Sequence, residues 1–218
     1  GGDLLLFFRN LLYKFTFAKY SLPQPLLKDP IALLSSEWLA KRFHMKVVAL
    51  IRHPAAFVYS LKRRQETFDF NWFLGQKWLM ESWLYPFRDQ LQRPPQYFEE
   101  QASLVWLCLN YVLDQYAQRN LDWILVRHED IASSPHTSFR KLFQQLEIPY
   151  TWNVRRKVES FSRPSNPIEP ESPTASSIKR DSQNLVKRWQ VALSQEEISR
   201  IHQMTAAFAG KYYGPEDW

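Results

Sequence analysis

Cysteine is nearly absent: the 218 residues hold one, Cys108, so no disulfide can form within the chain. A bridge-dependent fold is excluded, and a reducing compartment fits the composition. Glycine is scarce as well. The five are Gly1, Gly2, Gly75, Gly210 and Gly214, and none stands in a Gly/Ser/Thr/Lys-rich turn after an apolar run. Phosphate-cradling loops are built from clustered backbone N–H groups in such turns, so there is no Walker A loop here. No apolar run approaches the roughly 20 residues a membrane-spanning helix needs. The stretch Asp3 to Arg9 is too short and too soon charged, and it lacks the basic lead and cleavage site of a secretory leader. No long Lys/Arg block, RNP box or zinc knuckle is present, which sets nucleic acid aside as a partner. These absences together lead us to expect a cytoplasmic protein with at most peripheral membrane contact.

What is present is apolar and aromatic, at 45% and 16% of the chain, as in a packed globular protein. The length suits one sizeable domain over residues 1–218. A net charge of +6 favours an anionic ligand, nucleic acid or an acidic membrane surface without choosing among them. Residues 4–20 read as an aromatic helix ended by Pro23 and Pro25. Asp29 can cap a second helix with Pro30 at its first position, running through Trp38 to Lys41 and Arg42. Val47 to Ile51 is a continuous apolar run of the kind found in a strand covered on both faces. A helix follows from Ala55, another spans about 101–119, and Trp123 to Val126 reads as a second buried strand. Phe139, Leu142, Phe143 and Leu146 mark an amphipathic helix, and 160–177 reads as loop. The tail helix opens with Ser194-Gln195-Glu196-Glu197, a capping box by spacing. Strands alternating with helices imply parallel pairing in an α/β layered fold. Cys108, flanked by Leu107 and Leu109, reads as packing.

The chemistry concentrates between Lys46 and Arg64. Arg52 stands where a strand ends, which is where α/β sheets place ligands, and a helix begins at once with its free amides aimed at the same spot. Ser60 and Arg64 are four apart, so they share a helix face and can offer a hydroxyl and a guanidinium to one phosphate. Spacing alone leaves the plainer alternative equally open: Arg52 paired with a carboxylate and Arg64 solvated.

The segment resembles the 3′-phosphate-binding motif of sulfotransferases that use 3′-phosphoadenosine 5′-phosphosulfate. There an Arg at a strand end and a Ser eight residues on hold the nucleotide's 3′-phosphate. Arg52 and Ser60 match those positions, and Arg64 matches a third basic residue of the tyrosylprotein branch. Leu26-Leu27-Lys28-Asp29-Pro30 is similar to a Lys-Asp-Pro element of tyrosylprotein and bacterial members, which implies that Lys28 steadies the transferring sulfuryl group. Leu125 to Ile131, with Pro135 and the helix after it, resembles an Arg-Tyr-Glu-Asp-Leu block, with His128 in place of Tyr. Ser176 to Ser182, then Trp189, resembles the C-terminal cofactor loop. That likeness implies Ser176 on the sulfuryl or bridging oxygen, with Ser177, Ile178 and Arg180 closing over the nucleotide. The resemblance spans most of residues 25–218.

It implies a P-loop-NTPase-like three-layer sandwich, a central parallel sheet flanked by helices. It implies sulfuryl transfer to a hydroxyl or amine of a carbohydrate, lipid or peptide, leaving adenosine 3′,5′-bisphosphate and using no metal. The expected 5′-phosphosulfate loop would lie upstream of Lys28, and we expect an N-terminally truncated domain lacking its first strand. The catalytic base is not singled out; His53, Asp29 and His128 are available in principle. Glu129 and Asp130 are expected in a structural role. Residues 65–100, with Phe68, Phe70, Trp72, Phe73, Trp78, Trp83 and Tyr85, are expected to form an irregular helical insertion covering the acceptor. Two alternatives stay open: a P-loop kinase remnant, which would need a Walker A lysine and an acidic Mg²⁺ ligand, and a non-catalytic nucleotide-binding or interaction domain of the same fold.

Overall fold

The computed structural model describes residues 26–28, 32–168 and 179–218. The expected helix over 4–20, the Asp29–Pro30 cap, and Ser176, Ser177 and Ile178 lie outside the described residues. The chain divides between Leu33 and Leu34 into two units, of which Leu34–Trp218 is the larger. Before that division Leu26, Leu27 and Lys28 are exposed.

The described elements begin with α1 (Ser36–Phe43), whose last turn holds Lys41 and Arg42 against the negative end of the helix dipole. It stops at His44, which adopts the left-handed conformation at φ 51°. Then come β1 (Val48–Ile51), α2 (Pro54–Arg63), and the short helices α3 (Asn71–Leu74), α4 (Lys77–Ser82) and α5 (Arg88–Gln92). The long α6 (Phe98–Arg119) leads to β2 (Ile124–Arg127), α7 (His128–Ser133), α8 (Pro135–Gln145) and α9 (Trp152–Ser162). The chain closes with α10 (Ser182–Val186), α11 (Arg188–Ala192) and α12 (Gln195–Ala209). The molecule is mixed α/β and mostly helical, with a small parallel sheet in which β1 pairs β2 among the described residues. Val48 faces Ile124 and Ile51 faces Arg127, which brings both strand ends, and the helices that follow them, to one edge.

The core is organised by α6. Leu104, Trp106, Cys108 and Val112 on it are essentially inaccessible, each large aliphatic side chain contributing about 1.5–3 kcal/mol by burial. Ala55 and Ala56 on α2 and Ala102 on α6 belong to one buried cluster, where small side chains let two helices approach closely. A second cluster seats Leu79, Met80, Trp83, Leu84 and Leu91 from the short helices against Leu104, Val112 and Tyr116. Burial pushes the Cys108 thiol up to about 12, as suits a packing residue.

Two expectations need correcting. β1 is not covered on both faces: Ala49 and Ile51 are buried while Val48 and Leu50 are 38% and 52% exposed. Strand side chains alternate, and Ile51 packs with Trp106, Leu107, Ala209 and Tyr213 on its side. Leu125 of β2 is likewise 36% exposed. The second correction is that residues 160–162 are not loop but the end of α9. Thr151 starts that helix by accepting the Val154 N–H at 3.3 Å, and it stops at Arg163, which precedes Pro164 and is extended at ψ 144°. At the tail, the Ser194–Glu197 capping box forms with both reciprocal bonds.

Candidate functional site

The site grows from one peptide group. Where β1 ends, the carbonyl of Arg52 accepts the Trp106 indole N–H at 2.8 Å. The N–H of the same peptide unit, on His53, donates to Glu129 Oε1 at 2.9 Å. Both polar ends of the Arg52–His53 peptide are therefore held by side chains from other elements, α6 and α7. Glu129 is 8% exposed, and its Oε2 accepts the Tyr213 hydroxyl at 3.0 Å. Arg127 lies over the Tyr213 ring at 4.6 Å and donates to Asp217 at 2.6 Å. The strand-to-helix turn is thus braced by a chain of contacts reaching back from the C-terminal segment. Glu129 has the structural role expected of it, although its partners are a distant N–H and a phenol rather than the following turn.

The braced turn aims a cation. Arg52 Nε is buried and has no hydrogen-bond partner among the described residues. Burial lowers the guanidinium's pKa, the Glu129 charge opposes that, and the charges of Arg64 and Arg63 add to it. The end of β1 thus lies in the field of Arg63 and Arg64, opposed by that of Glu129. A buried polar atom without a partner costs about 1–3 kcal/mol, more when charged, and an anion would remove that cost. The neighbouring N-terminus of α2 adds its dipole. Of the plainer alternatives, pairing of Arg52 with a carboxylate is not seen among the described residues; Glu129 acts at a distance while its oxygens serve His53 and Tyr213. Arg64 does have a surface partner, Glu66, at 3.6 Å, an exposed pair worth little.

His128 joins this group. Its ring is lowered to about 4 by burial and then by the Arg52 charge, and its Nδ1 is buried without a partner, 3.9 Å from Glu129 Oε1 and beyond hydrogen-bond reach. Ser60 is half-buried on α2 with no hydrogen bond among the described residues. Arg52 feels the charge of Arg64, and His128 that of Arg52, while Ser60 lies on α2 between Arg52 and Arg64 in the chain. Lys46 is not part of the group; it reaches Leu146 O at 3.0 Å and Glu147 instead. Lys28 belongs to the part of the chain before Leu34. Arg180 donates to the Lys179 carbonyl at 2.6 Å, and the stretch after it is pinned to α7: Ser182 donates to Ala132 O at 2.8 Å and Gln183 to Ser133 O at 3.0 Å. The C-terminal loop thus emerges beside the helix that opens with His128.

His53, one of the available bases, is a packing group. It is 1% exposed, stacked on Trp189 at 4.8 Å and closed by Trp218 at 4.5 Å and Tyr213 at 4.9 Å. Burial drives its pKa to about 4, so the ring is neutral near pH 7. No local sequence pattern signals this aromatic box or the Tyr213 and Asp217 braces, whose partners lie far off along the chain.

The 65–100 segment divides by burial. Phe70 and Trp83 are core, whereas Trp72, Trp78 and Tyr85 are 75%, 62% and 61% exposed. A cavity of about 380 Å³ is lined by Leu34, Ser35, Gln76, Lys77, Trp78 and Leu79. Among the described residues no helix is long and apolar enough to cross a membrane, and no group of His, Cys, Asp and Glu is placed to hold a metal ion.

Compared with known proteins, the chain is 25% identical over 171 residues to carbohydrate sulfotransferase 3 of Rattus norvegicus, a match covering 78% of this chain and 31% of that protein. The chain therefore spans less than a third of the relative's length. No protein-family model matches, and no solved structure does. The match supports a distant, sulfotransferase-like relationship.

Proposed function

We propose that this chain carries the 3′-phosphate-binding part of a sulfotransferase site that takes 3′-phosphoadenosine 5′-phosphosulfate as donor and a carbohydrate hydroxyl as acceptor. The observation that carries the reading is the buried, unpartnered Nε of Arg52 at the end of β1, beside Arg63, Arg64 and the start of α2. The bound nucleotide would supply the activated sulfuryl group. Arg52, Ser60 and Arg64 hold its 3′-phosphate and so fix its register, and His128 lines the nucleotide from the other strand's end. The peptide clamp from Trp106 and Glu129 keeps Arg52 aimed before the ligand arrives, so less ordering is left for binding to impose.

In this reading Lys28 and Ser176 serve the leaving oxygen and the sulfuryl group, where positioned donors stabilise developing charge. Ser177, Ile178 and Arg180 close over the nucleotide from the loop that leads to α10. The parallel pairing of β1 with β2 is consistent with a place in the expected three-layer sandwich. Exposed Trp72 and Trp78, with the cavity beside Lys77, offer ring faces on which a sugar can stack. The carbohydrate assignment draws on the name of the relative and on these faces together.

Calorimetric titration with adenosine 3′,5′-bisphosphate tests the reading. Arg52→Ala should weaken binding by about 1.5–3 kcal/mol, the worth of a charge-assisted contact. Equal binding by wild type and Arg52→Ala would sink it.

A further inference from the structure

The chain's positive charge is unevenly placed. Residues 135–163, comprising α8, its turn and α9, hold six cations against two carboxylates, a balance of +4 out of the chain's net +6. Arg163 pairs with Glu159 at 3.3 Å, and Glu147 is taken by Lys46 from outside the pair of helices. The other five, Arg140, Lys141, Arg155, Arg156 and Lys157, are exposed and have no carboxylate within ion-pair reach among the described residues. Neither α8 nor α9 has a single buried residue, although they pack on one another through half-buried apolar side chains.

Three of the cations lie over rings of the same hairpin: Arg156 over Trp152 at 4.5 Å, Lys157 over Phe161 at 5.9 Å and Arg140 over Tyr150 at 6.0 Å. Trp152 is itself 65% exposed. Three consecutive like charges at 155–157 repel one another, a cost the folded chain does not offset by itself. An outer partner of opposite charge would.

We propose that the α8–α9 hairpin is a docking face for an anionic phospholipid surface. The planar forks of the arginines match phosphate. Clusters of roughly four to eight Lys and Arg bind acidic leaflets, and an exposed Trp beside them suits the headgroup layer. Binders of single-stranded nucleic acid keep aromatic faces free for bases, whereas here Trp152, Phe161 and Tyr150 each already carry a cation on one face. The proposal stands apart from the nucleotide site: it uses none of the residues at the end of β1.

The test is co-sedimentation of the full chain with vesicles of phosphatidylcholine alone and of phosphatidylcholine with phosphatidylserine. Binding is expected to the acidic vesicles only, to weaken at least about tenfold at high salt because the contact is electrostatic, and to vanish in Arg155→Glu/Arg156→Glu/Lys157→Glu. The melting temperature of that variant should fall only slightly, since its losses within the fold are the exposed ring contacts of Arg156 and Lys157, each worth little. If it falls further, Arg140→Gln/Lys141→Gln with Lys157→Gln reads the same effect with less perturbation. Equal binding to neutral vesicles, undiminished binding by the charge-reversed chain, or retention by single-stranded RNA or heparin without binding to acidic vesicles would overturn the proposal.

Discussion

Two groups of cations in this chain live in opposite surroundings. Arg52 is held at a strand end by a clamped peptide, its Nε buried and without a partner, with Arg63 and Arg64 pressing on it. The five cations of the α8–α9 hairpin stand in water on helices that bury nothing. A solvated cation costs the fold little, so its presence says little about a specific ligand. One whose Nε is buried with no partner among the described residues is a standing cost, and the fold keeps it in place with Trp106, Glu129 and Tyr213 from α6, α7 and the C-terminal segment. The difference separates a built site from a charged surface.

The comparison breaks first at the clamp. Trp106 is fully buried and its indole holds the Arg52 carbonyl. Trp106→Ala should cost about 3–5 kcal/mol in denaturant unfolding, whereas a loss below about 1 kcal/mol would mean the turn is not anchored there. Next, Arg52→Ala should act in opposite directions on two readouts. Nucleotide affinity should fall, while unfolding free energy should hold or rise, because a buried polar atom with no partner among the described residues is removed. A drop in both would make Arg52 a structural residue.

Acid sharpens the same contrast. His53 and His128 are held to about 4 by burial, whereas in the unfolded chain each titrates near 6.5. Between those values the unfolded chain binds more protons, so stability falls as pH drops from about 6.5 to 4, by about 1.4 kcal/mol per pH unit for each ring once its unfolded form is charged. Below that window these two rings add no further loss. Carboxylates held low by partners, such as Glu197 and Asp114, begin to lose their share as pH falls through their ordinary values of 4.5 and 3.8 and lose the rest below them. Melting temperature against pH checks this, and His53→Phe should flatten the slope; an unchanged slope would show that His53 is not buried neutral.

Smaller effects follow. Tyr213→Phe removes one hydrogen bond to Glu129 and should cost about 1 kcal/mol. At the far end of the comparison, Arg155→Ala should stay within about 0.5 kcal/mol in unfolding. A larger loss would show that the hairpin cations have partners after all.

Local patterns made part of this legible. The apolar run ending at Arg52, the apolar helical pattern from Ala55, and the spacing of Ser60 and Arg64 placed the strand, the helix and the cation from neighbouring residues alone, although the helix begins one residue earlier, at Pro54. The Ser194–Glu197 box was readable for the same reason. What could not be read was long-range. Glu129 and Tyr213 lie 76 and 84 residues from the groups they bond, His53 and Glu129 respectively, and nothing near either residue announces the pairing. The open face of β1 was missed because an apolar run does not reveal how many layers cover it. The end of α9 was missed because the nearby prolines and serines outweighed its helical spacing.

The central claim is that the end of β1 recognises a 3′-phosphate through Arg52. Its most direct test is the affinity of adenosine 3′,5′-bisphosphate relative to adenosine 5′-monophosphate, measured on wild type and on Arg52→Ala. The account predicts a preference of at least about tenfold for the bisphosphate in wild type, the worth of about 1.4 kcal/mol, and its disappearance in the variant. Equal affinity for the two nucleotides in wild type, or a preference that survives the loss of Arg52, would contradict it.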